Sequence, residues 1–561
     1  MPGPPPEGAP PAAPAWLPAA LAAALVAAVG AAFAGVGGNG FTDFDDDLYV
    51  TANPRVQSLS AENLRWMWTD TSLFYWHPLT WTVHALEVAA FGHDPRLHHL
   101  TSVLLHGLNA VLVYLLFLAA ARAAGTAAPP ARVHAAGFAA ALLWALHPLR
   151  VEPVAWAAGK KELLCTLFVL SALLAWLRRG EAPPERRARW TAAALAATAL
   201  ALLSKPMAMT LPALLLVADA WPLRRFGRPG AWRGLLLEKV PFLLLVVAAV
   251  LPSALDPRQD ALLPTGAGEA LGGRLVQALG GFASGVERTL WPADLVPFYP
   301  LPFREDLTLA TPRYALAALL LAAASFAAWR AWRRGGAAAP LAAWAFFLVA
   351  TAPVCGLRQA GSVETADRFA YLPTVALLLL AGGGILAAAV RAGPAIPLGA
   401  ALALAALLGV LSARQVGVWR DGSTLWTRVA GAFPERVPIA HQNLGAWWHR
   451  RAEETGDAAA LARAEAEYRE ALRLRPDHAG ARNNLALVLL GRGEEAEAER
   501  LLLEAARLRP GFAMAHANLA RLYAARGRDA EARERVRLAR ESREPAPAFL
   551  DEVERALGGG R

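Results

Sequence analysis

The chain reads as an all-α protein in two parts, a polytopic membrane helix bundle of about eleven spans and a C-terminal α-solenoid. Composition is the first sign. Of 561 residues 56% are hydrophobic and 18% charged, and the mean hydropathy is +0.32; a soluble domain carries about 25% charge. Apolar residues also gather in nearly uncharged blocks of about 20 residues, the length of a membrane-crossing helix. Near the C-terminus, short sequences recur at a spacing of 34. Only two cysteines, Cys165 and Cys355, are present, so a disulfide scaffold is excluded. The same blocks exclude wholesale disorder and a soluble Rossmann or barrel enzyme. The net charge of +9 lies mostly on Arg in short loops, with no basic, aromatic-interleaved patch for nucleic acid.

Residues 1–15 are rich in Pro and Ala and expected to be disordered. Trp16 to Phe33 follows without a charge and reads as a retained anchor rather than a secretory signal, since a basic n-region is missing. Further spans are expected near 97–120, 133–150, 162–178, 190–204, 206–221, 236–253, 313–331, 338–355, 371–390 and 395–413. The pair 190–221 is broken at Ser204-Lys205-Pro206; one long tilted helix is its rival and would reverse the sidedness of everything downstream. Arg clusters occupy alternate loops: Arg178, Arg179, Arg186, Arg187 and Arg189; Arg224, Arg225, Arg228 and Arg233; Arg330, Arg333 and Arg334; Arg391. Placing them in the cytoplasm satisfies the positive-inside tendency. The N-terminus is then cytoplasmic. The outer loops 36–96 and 254–312 and the tail face the periplasm or exterior, around a bundle spanning 16–413 in the cell (inner) membrane. Within 254–312, Arg274 to Leu290 is expected as an interfacial helix.

After a linker at 414–436, the segment 437–561 turns to Ala, Glu and Arg at helical spacing. Asn484-Leu485-Ala486 recurs as Asn518-Leu519-Ala520, Gly493 as Gly527 and Pro476 as Pro510. This is the tetratricopeptide pattern, in which small residues sit where paired helices cross. About three repeats and a closing helix near 546–557 are expected, the first repeat carrying an insertion around Glu453–Asp457. Asn443, Asn484 and Asn518 occupy one position of each unit. They read either as amides gripping a peptide backbone in the concave groove or as polar residues tolerated near solvent.

The chemistry-bearing residues all fall at the outer ends of the expected spans. Asp45-Asp46-Asp47 follow the first span; as a turn or helix cap they would be structural, as a site they supply a general base. Then come Trp76-His77-Pro78, His98-His99, His106, His147-Pro148 to Glu152, Lys160-Lys161-Glu162, Lys205 and Asp367-Arg368 to Tyr371. Bases beside a carboxylate suit an anionic head group that reacts with a nucleophile. The histidine spacing matches no recognised zinc pattern, so interfacial hydrogen bonding is the favoured reading of His77, His98, His99 and His106.

Phe44-Asp45-Asp46, Trp76-His77-Pro78-Leu79-Thr80, His99-Leu100-Thr101 to His106, His147-Pro148 to Glu152, Lys205-Pro206, Trp291-Pro292 to Tyr299-Pro300 and Asp367-Arg368 to Tyr371-Leu372-Pro373 stand in one order. In that order they resemble bacterial multispanning tetratricopeptide-repeat proteins, which are similar to the animal transmembrane and tetratricopeptide-repeat O-mannosyltransferases. Both resemble the GT-C glycosyltransferases, among them the protein O-mannosyltransferases. The resemblance implies a GT-C-like bundle that transfers a sugar, with inversion, from a polyprenyl-phosphate donor to a hydroxyl acceptor such as protein Ser or Thr. It implies Asp45 as base with Asp46 in support, and Lys161, Lys205 and Arg368 on the donor phosphate. Asp47, His77, His99, His147, Glu152, Glu162, Asp367 and Tyr371 would support them. No residue is assigned to a metal, and a divalent cation is left open. Two departures stand out: the third carboxylate Asp47, and Gly159 where relatives carry an acid. The implied partners are the bilayer, the lipid-linked sugar and a protein or peptide acceptor held by the repeats. The main rival is a non-enzymatic scaffold recruiting envelope proteins through those repeats; a transporter ranks below it, because the membrane part shows no internal repeat.

Overall fold

The computed structural model describes residues 13–71, 76–227, 230–256, 271–357, 363–542, 547 and 549–558. The stretch expected to be disordered falls, for residues 1–12, outside the described residues, as do 72–75 and 257–270 of the two outer loops. The chain divides into two compact units between Asp421 and Gly422.

In the first unit every expected span is helical. In chain order the helices are α1 (Leu17–Ala32), α2 (Ala61–Thr69), α3 (Pro78–Phe91), α4 (Pro95–Ala123), α5 (Pro130–Ala145), α6 (Val151–Ala155), α7 (Lys160–Glu181) and α8 (Pro184–Ser204). They continue as α9 (Leu211–Ala220), α10 (Ala231–Leu237), α11 (Val240–Ala254), α12 (Leu271–Leu290), α13 (Pro312–Gly335), α14 (Ala338–Thr351), α15 (Thr374–Ala392) and α16 (Ala395–Val416). Proline opens α3, α4, α5, α8 and α13, where its missing N–H costs no hydrogen bond. By length and composition six described helical runs can cross a membrane: Pro95–Ala123, Ala157–Glu181, Ala231–Ala254, Pro312–Gly335, Thr374–Ala392 and Ala395–Trp419. Leu17–Ala32, Pro206–Ala220 and Ala338–Val354 are shorter and apolar. The chain is a multi-pass membrane protein.

The rival reading of 190–221 as one helix does not hold. Proline disfavours a helical residue before it, and Lys205 is extended (φ −163°) between α8 and a short turn at Pro206–Thr210. The backbone oxygen of Lys205 lies 3.9 Å from Cys165 Sγ near the start of α7. At the other end of α9, Asp219 accepts from Trp176 Nε1 near the end of α7, at 2.9 Å. So α8 and α9 are two separate helices, and α9 runs from the Lys205 turn back along α7 towards Trp176.

The bundle therefore has two chemically distinct ends. One holds Arg122 with Glu181, Arg179 with Glu238, and a buried Asp219 that accepts from Lys239 (2.5 Å) and Arg225 (2.9 Å). The other collects the starts of α4, α7 and α15 and the ends of α1, α5 and α8. Helix α12 packs there through glycine: a Cβ at Gly281 would stand 2.2 Å from the Cys355 carbonyl oxygen, so no other residue fits. A two-stranded antiparallel pair, β1 (Tyr299–Pro300) with β2 (Val363–Thr365), ties the loop after α12 to the segment carrying Asp367 and Arg368.

The second unit consists of α17 (Gly422–Ala432), α18 (Pro438–Thr455), α19 (Ala458–Leu474), α20 (Ala479–Gly491), α21 (Glu495–Leu508), α22 (Ala513–Ala525), α23 (Asp529–Glu541) and α24 (Leu550–Gly558). The stretch read as a linker, 414–436, is largely helical: α16 runs to Val416, and α17 buries Leu425, Trp426 and Val429. Gly493 and Gly527 adopt positive φ (80° and 72°) where α20 and α22 end, which is why glycine recurs there. Ala464, Ala471, Ala498, Ala505, Ala532 and Ala539 are all fully buried between paired helices. The expected insertion lengthens α18 to 18 residues against 13 in α20 and α22. Asn518 departs from the open-groove expectation. Its side chain is buried and donates to Asn483 Oδ1 at 2.9 Å, so it joins neighbouring repeats, whereas Asn443 and Asn484 are half-buried.

Candidate active site

Asp45, Lys161, Lys205 and Arg368, far apart in sequence, meet at the end of the bundle away from the arginine loops. Asp45 sits where the chain leaves α1 and enters a single π-turn at Asp47–Thr51. Its φ is +66°, a left-handed conformation that Asp tolerates better than most residues and that concentrates at functional sites. The Asp45 backbone carbonyl accepts from Tyr49 N–H at 2.9 Å. Among the described residues its carboxylate forms no hydrogen bond or ion pair; it lies within electrostatic reach of Lys161 and Arg368.

Asp46 has a different task. Buried completely, it accepts from the Thr42 N–H (2.8 Å) and Oγ1–H (2.9 Å) and from the Ala158 N–H (2.9 Å). It thereby pins the Asp45 loop onto the turn before α7, where Trp156 Nε1 also donates to the Phe44 carbonyl at 2.5 Å. Burial pushes its carboxyl up to about 7, against the pull of those three donors. Because the folded chain holds this proton more tightly than the unfolded one, stability from this group is greatest below pH 4 and falls as pH rises towards 7. We expect the wild-type melting temperature, relative to Asp46→Asn, to decline between about pH 4 and pH 7; a flat difference would contradict the assignment. Asp47 is exposed and turned away from this loop–turn contact.

Lys160 and Lys161 are neighbours on α7 with opposite fates. Lys160 is fully buried and spends its three protons on Glu87 Oε1 (2.6 Å), the His98 carbonyl (2.9 Å) and Thr101 Oγ1 (2.8 Å). Lys161 lies between two aromatic faces, its Nζ 4.0 Å from the Tyr49 ring centre and 4.8 Å from that of Trp156. Among the described residues its ammonium meets no hydrogen-bond acceptor. Cation–π contact holds it without neutralising it, so it is the cation best placed to receive an external anion. Gly159 is required just before it: a Cβ there would stand 2.9 Å from the Pro153 carbonyl oxygen. Gly159→Ala should cost on the order of 1–3 kcal/mol in thermal unfolding.

Lys205 and Arg368 carry counter-ions. Lys205 Nζ donates to Glu162, Arg368 Nη1 donates to Glu152, and the Arg368 N–H reaches Glu152 Oε2 at 2.7 Å. Glu162 Oε1 also stands 3.9 Å from Arg368 Nε. Phe369 and Trp156 lie beside these cations. Three cations thus face three carboxylates, Asp45, Glu152 and Glu162.

The other expected residues brace this core. His77 stacks on Trp81 and Tyr49, His99 faces the Gly40 carbonyl (3.2 Å), and His147 bridges the Leu149 N–H (3.2 Å) and the Thr289 carbonyl (3.0 Å). Asp367 accepts from Arg288 (3.2 Å) and Tyr299 (2.9 Å), and burial lifts its carboxyl to about 7. The Tyr371 hydroxyl meets His106 Nδ1 (2.7 Å) and Asn109 (3.2 Å) beneath the site. Sequence reasoning missed Tyr49 and Trp156 as the walls around Lys161. It also missed Arg150, fully buried, which donates to the Trp144, Ala370 and Tyr371 carbonyls and to Thr374 Oγ1. Arg150 holds the turn that presents Arg368; the available signal was a lone arginine inside an apolar block.

Fold and site together define an all-α polytopic membrane protein whose charged cluster gathers at one end of the helices. Comparison with known proteins adds relatives. The chain is 28% identical over 193 residues, 31% of its length, to the protein O-mannosyl-transferase TMTC4 of Mus musculus, of which this covers 26%. It is 27% identical over 200 residues to the Homo sapiens protein of that name, covering 33% of this chain and 27% of the relative. The chain thus spans about a quarter of the length of these curated relatives. No protein-family model matches it. Among solved structures it is similar to the apo oligosaccharyltransferase of Archaeoglobus fulgidus, with TM-score 0.37, 14% identity, and coverage of 72% of this chain and 56% of that one. It is also similar to ArnT from Cupriavidus metallidurans bound to undecaprenyl phosphate, with TM-score 0.36, 18% identity, and coverage of 89% and 81%.

Proposed function

We propose that the chain is a membrane glycosyltransferase of the GT-C type, moving a sugar from a polyprenyl-phosphate donor to an acceptor hydroxyl at the non-cytoplasmic face. The observation that carries this reading is the pairing of Asp45 and Lys161, a carboxylate and an ammonium within electrostatic reach of each other and, among the described residues, without internal hydrogen-bond partners. Asp45 takes the acceptor proton as the hydroxyl oxygen bonds to the anomeric carbon. The bond from that carbon to the phosphate oxygen breaks, and the lipid phosphate leaves with one more negative charge. Lys161, with Arg368 and Lys205 behind it, stabilises that charge as it develops. No acid is needed for the leaving group, so one carboxylate suffices. The similarity to O-mannosyl-transferases supports a protein hydroxyl as acceptor, which the repeat unit would hold close and so raise its local concentration.

The test is incubation of detergent-purified protein with a panel of polyprenyl-phosphate monosaccharides and Ser/Thr peptides. Release of polyprenyl phosphate with one sugar, lost in Asp45→Asn, is expected. Full activity in that variant would remove Asp45 as the base, and no transfer with any donor would leave the scaffold reading.

A further inference from the structure

Between α3 and the start of α4, two buried imidazoles converge on a single oxygen of Glu87. His98 Nδ1 stands 3.2 Å from Glu87 Oε2 and His84 Nδ1 stands 3.6 Å from the same atom. His84 and His98 are completely buried and Glu87 is 5% exposed. The other oxygen, Oε1, is already occupied by Lys160 and Thr101.

Two features of this cluster are costly unless something positive lies within it. His98 Nε2 is 2.9 Å from the Gly92 carbonyl, which can only accept, so that nitrogen carries the proton. A neutral His98 then turns the bare lone pair of Nδ1 onto a carboxylate oxygen, acceptor against acceptor. His84, for its part, has neither ring nitrogen hydrogen-bonded among the described residues although both are buried, against the strong tendency of buried polar atoms to be paired. One cation among the three atoms removes the first cost and partners His84 Nδ1, leaving only His84 Nε2 unpaired among the described residues.

We infer that His84, Glu87 and His98 form a binding site for a transition-metal ion, Zn²⁺ by preference. The ligand atoms lie within 4.8 Å of one another, and a tetrahedral ion with bonds of about 2.0–2.1 Å sets its ligands about 3.3 Å apart, close to the 3.2 and 3.6 Å found. Two imidazole nitrogens and one carboxylate oxygen favour zinc over magnesium or calcium, which take oxygen ligands. The outer contacts are those that ligating groups usually carry: His98 is oriented by a backbone carbonyl, Glu87 by Lys160 and Thr101. The other filler of this space is a proton, which makes His98 an imidazolium beside Lys160. The ion would clamp α3 to α4 and steady Tyr49, whose ring meets His84 edge-on at 5.9 Å and carries Lys161 on its face. This inference stands apart from the reaction proposed above, and metal content is read without activity.

The full-length protein, purified in detergent and passed over a chelating resin, should retain about one zinc per chain by elemental mass spectrometry. His84→Gln and His98→Gln should each lower that content about tenfold or more, since removing one ligand of three leaves a weak site. Stripping the wild type with a strong chelator should lower its melting temperature, restored by zinc chloride and not by magnesium chloride; this arm needs no variant to fold. Zinc below one-tenth per chain both as purified and after zinc chloride, with no change in melting, would overturn the inference in favour of the imidazolium. Undiminished zinc in both variants would also overturn it, by moving the ion elsewhere.

Discussion

Asp45→Asn is expected to lower turnover of the lipid-linked sugar by about 10²–10⁴-fold, the usual contribution of a general base, with the protein still folded. Asparagine has nearly the same shape and also tolerates the left-handed backbone that Asp45 adopts. Among the described residues the Asp45 side chain has no hydrogen bond to lose, so the melting temperature should stay close to that of the wild type. Asp46→Asn supplies the contrast. There an amide nitrogen replaces one of two accepting oxygens, Oδ2 for the two Thr42 donors and Oδ1 for the Ala158 N–H, so the loop itself loosens. The diagnostic is therefore a split: Asp45→Asn inactive and stable, Asp46→Asn altered in stability and its pH dependence. Full transfer by a folded Asp45→Asn protein would exclude Asp45 as the base.

Lys161→Met is expected to reduce kcat/KM by about 10²–10³-fold, the range seen when one preorganised donor to a developing anion is removed. Both terms should move, because the donor phosphate is charged in the ground state and more so when it leaves. Methionine keeps the length of the side chain and its contact with Tyr49 and Trp156, so the loss is one of charge. Lys205→Met cannot be read so simply. It breaks the buried Lys205–Glu162 pair and leaves Glu162 only the more distant Arg368, and breaking such a pair costs about 3–5 kcal/mol. A titration of donor with Lys161→Met, beside a melting curve for each variant, separates the two roles. Unchanged kcat/KM would remove Lys161 from the phosphate site.

Much of this architecture is legible in the amino-acid order. The uncharged blocks locate the helices, and the 34-residue recurrence puts alanine at each close crossing, as the burial of Ala498 and Ala532 bears out. The break at Lys205-Pro206 follows from proline chemistry alone. The division of labour among neighbours is less accessible. Asp45 and Asp46 differ only in backbone conformation and in which donors lie near. Lys160 and Lys161 point about 100° apart on one helix, towards Glu87 on α3 and towards Tyr49 in the π-turn after α1, and both partners are distant in sequence. Linear order records that such side chains share a region, and only packing decides which is satisfied internally. Asn518 shows the same limit, since its link to Asn483 depends on how successive repeats stack.

Glu162 bears on the end of the transfer proposed above. Its carboxylate already occupies Lys205 and approaches Arg368, the groups an arriving phosphate would recruit. In that proposal it would act as a resident competitor, reclaiming both cations once the sugar has gone. The spent carrier, though more highly charged than the donor, would then leave a pocket that reverts to electrical balance, and the protein's own side chain would hold product inhibition in check.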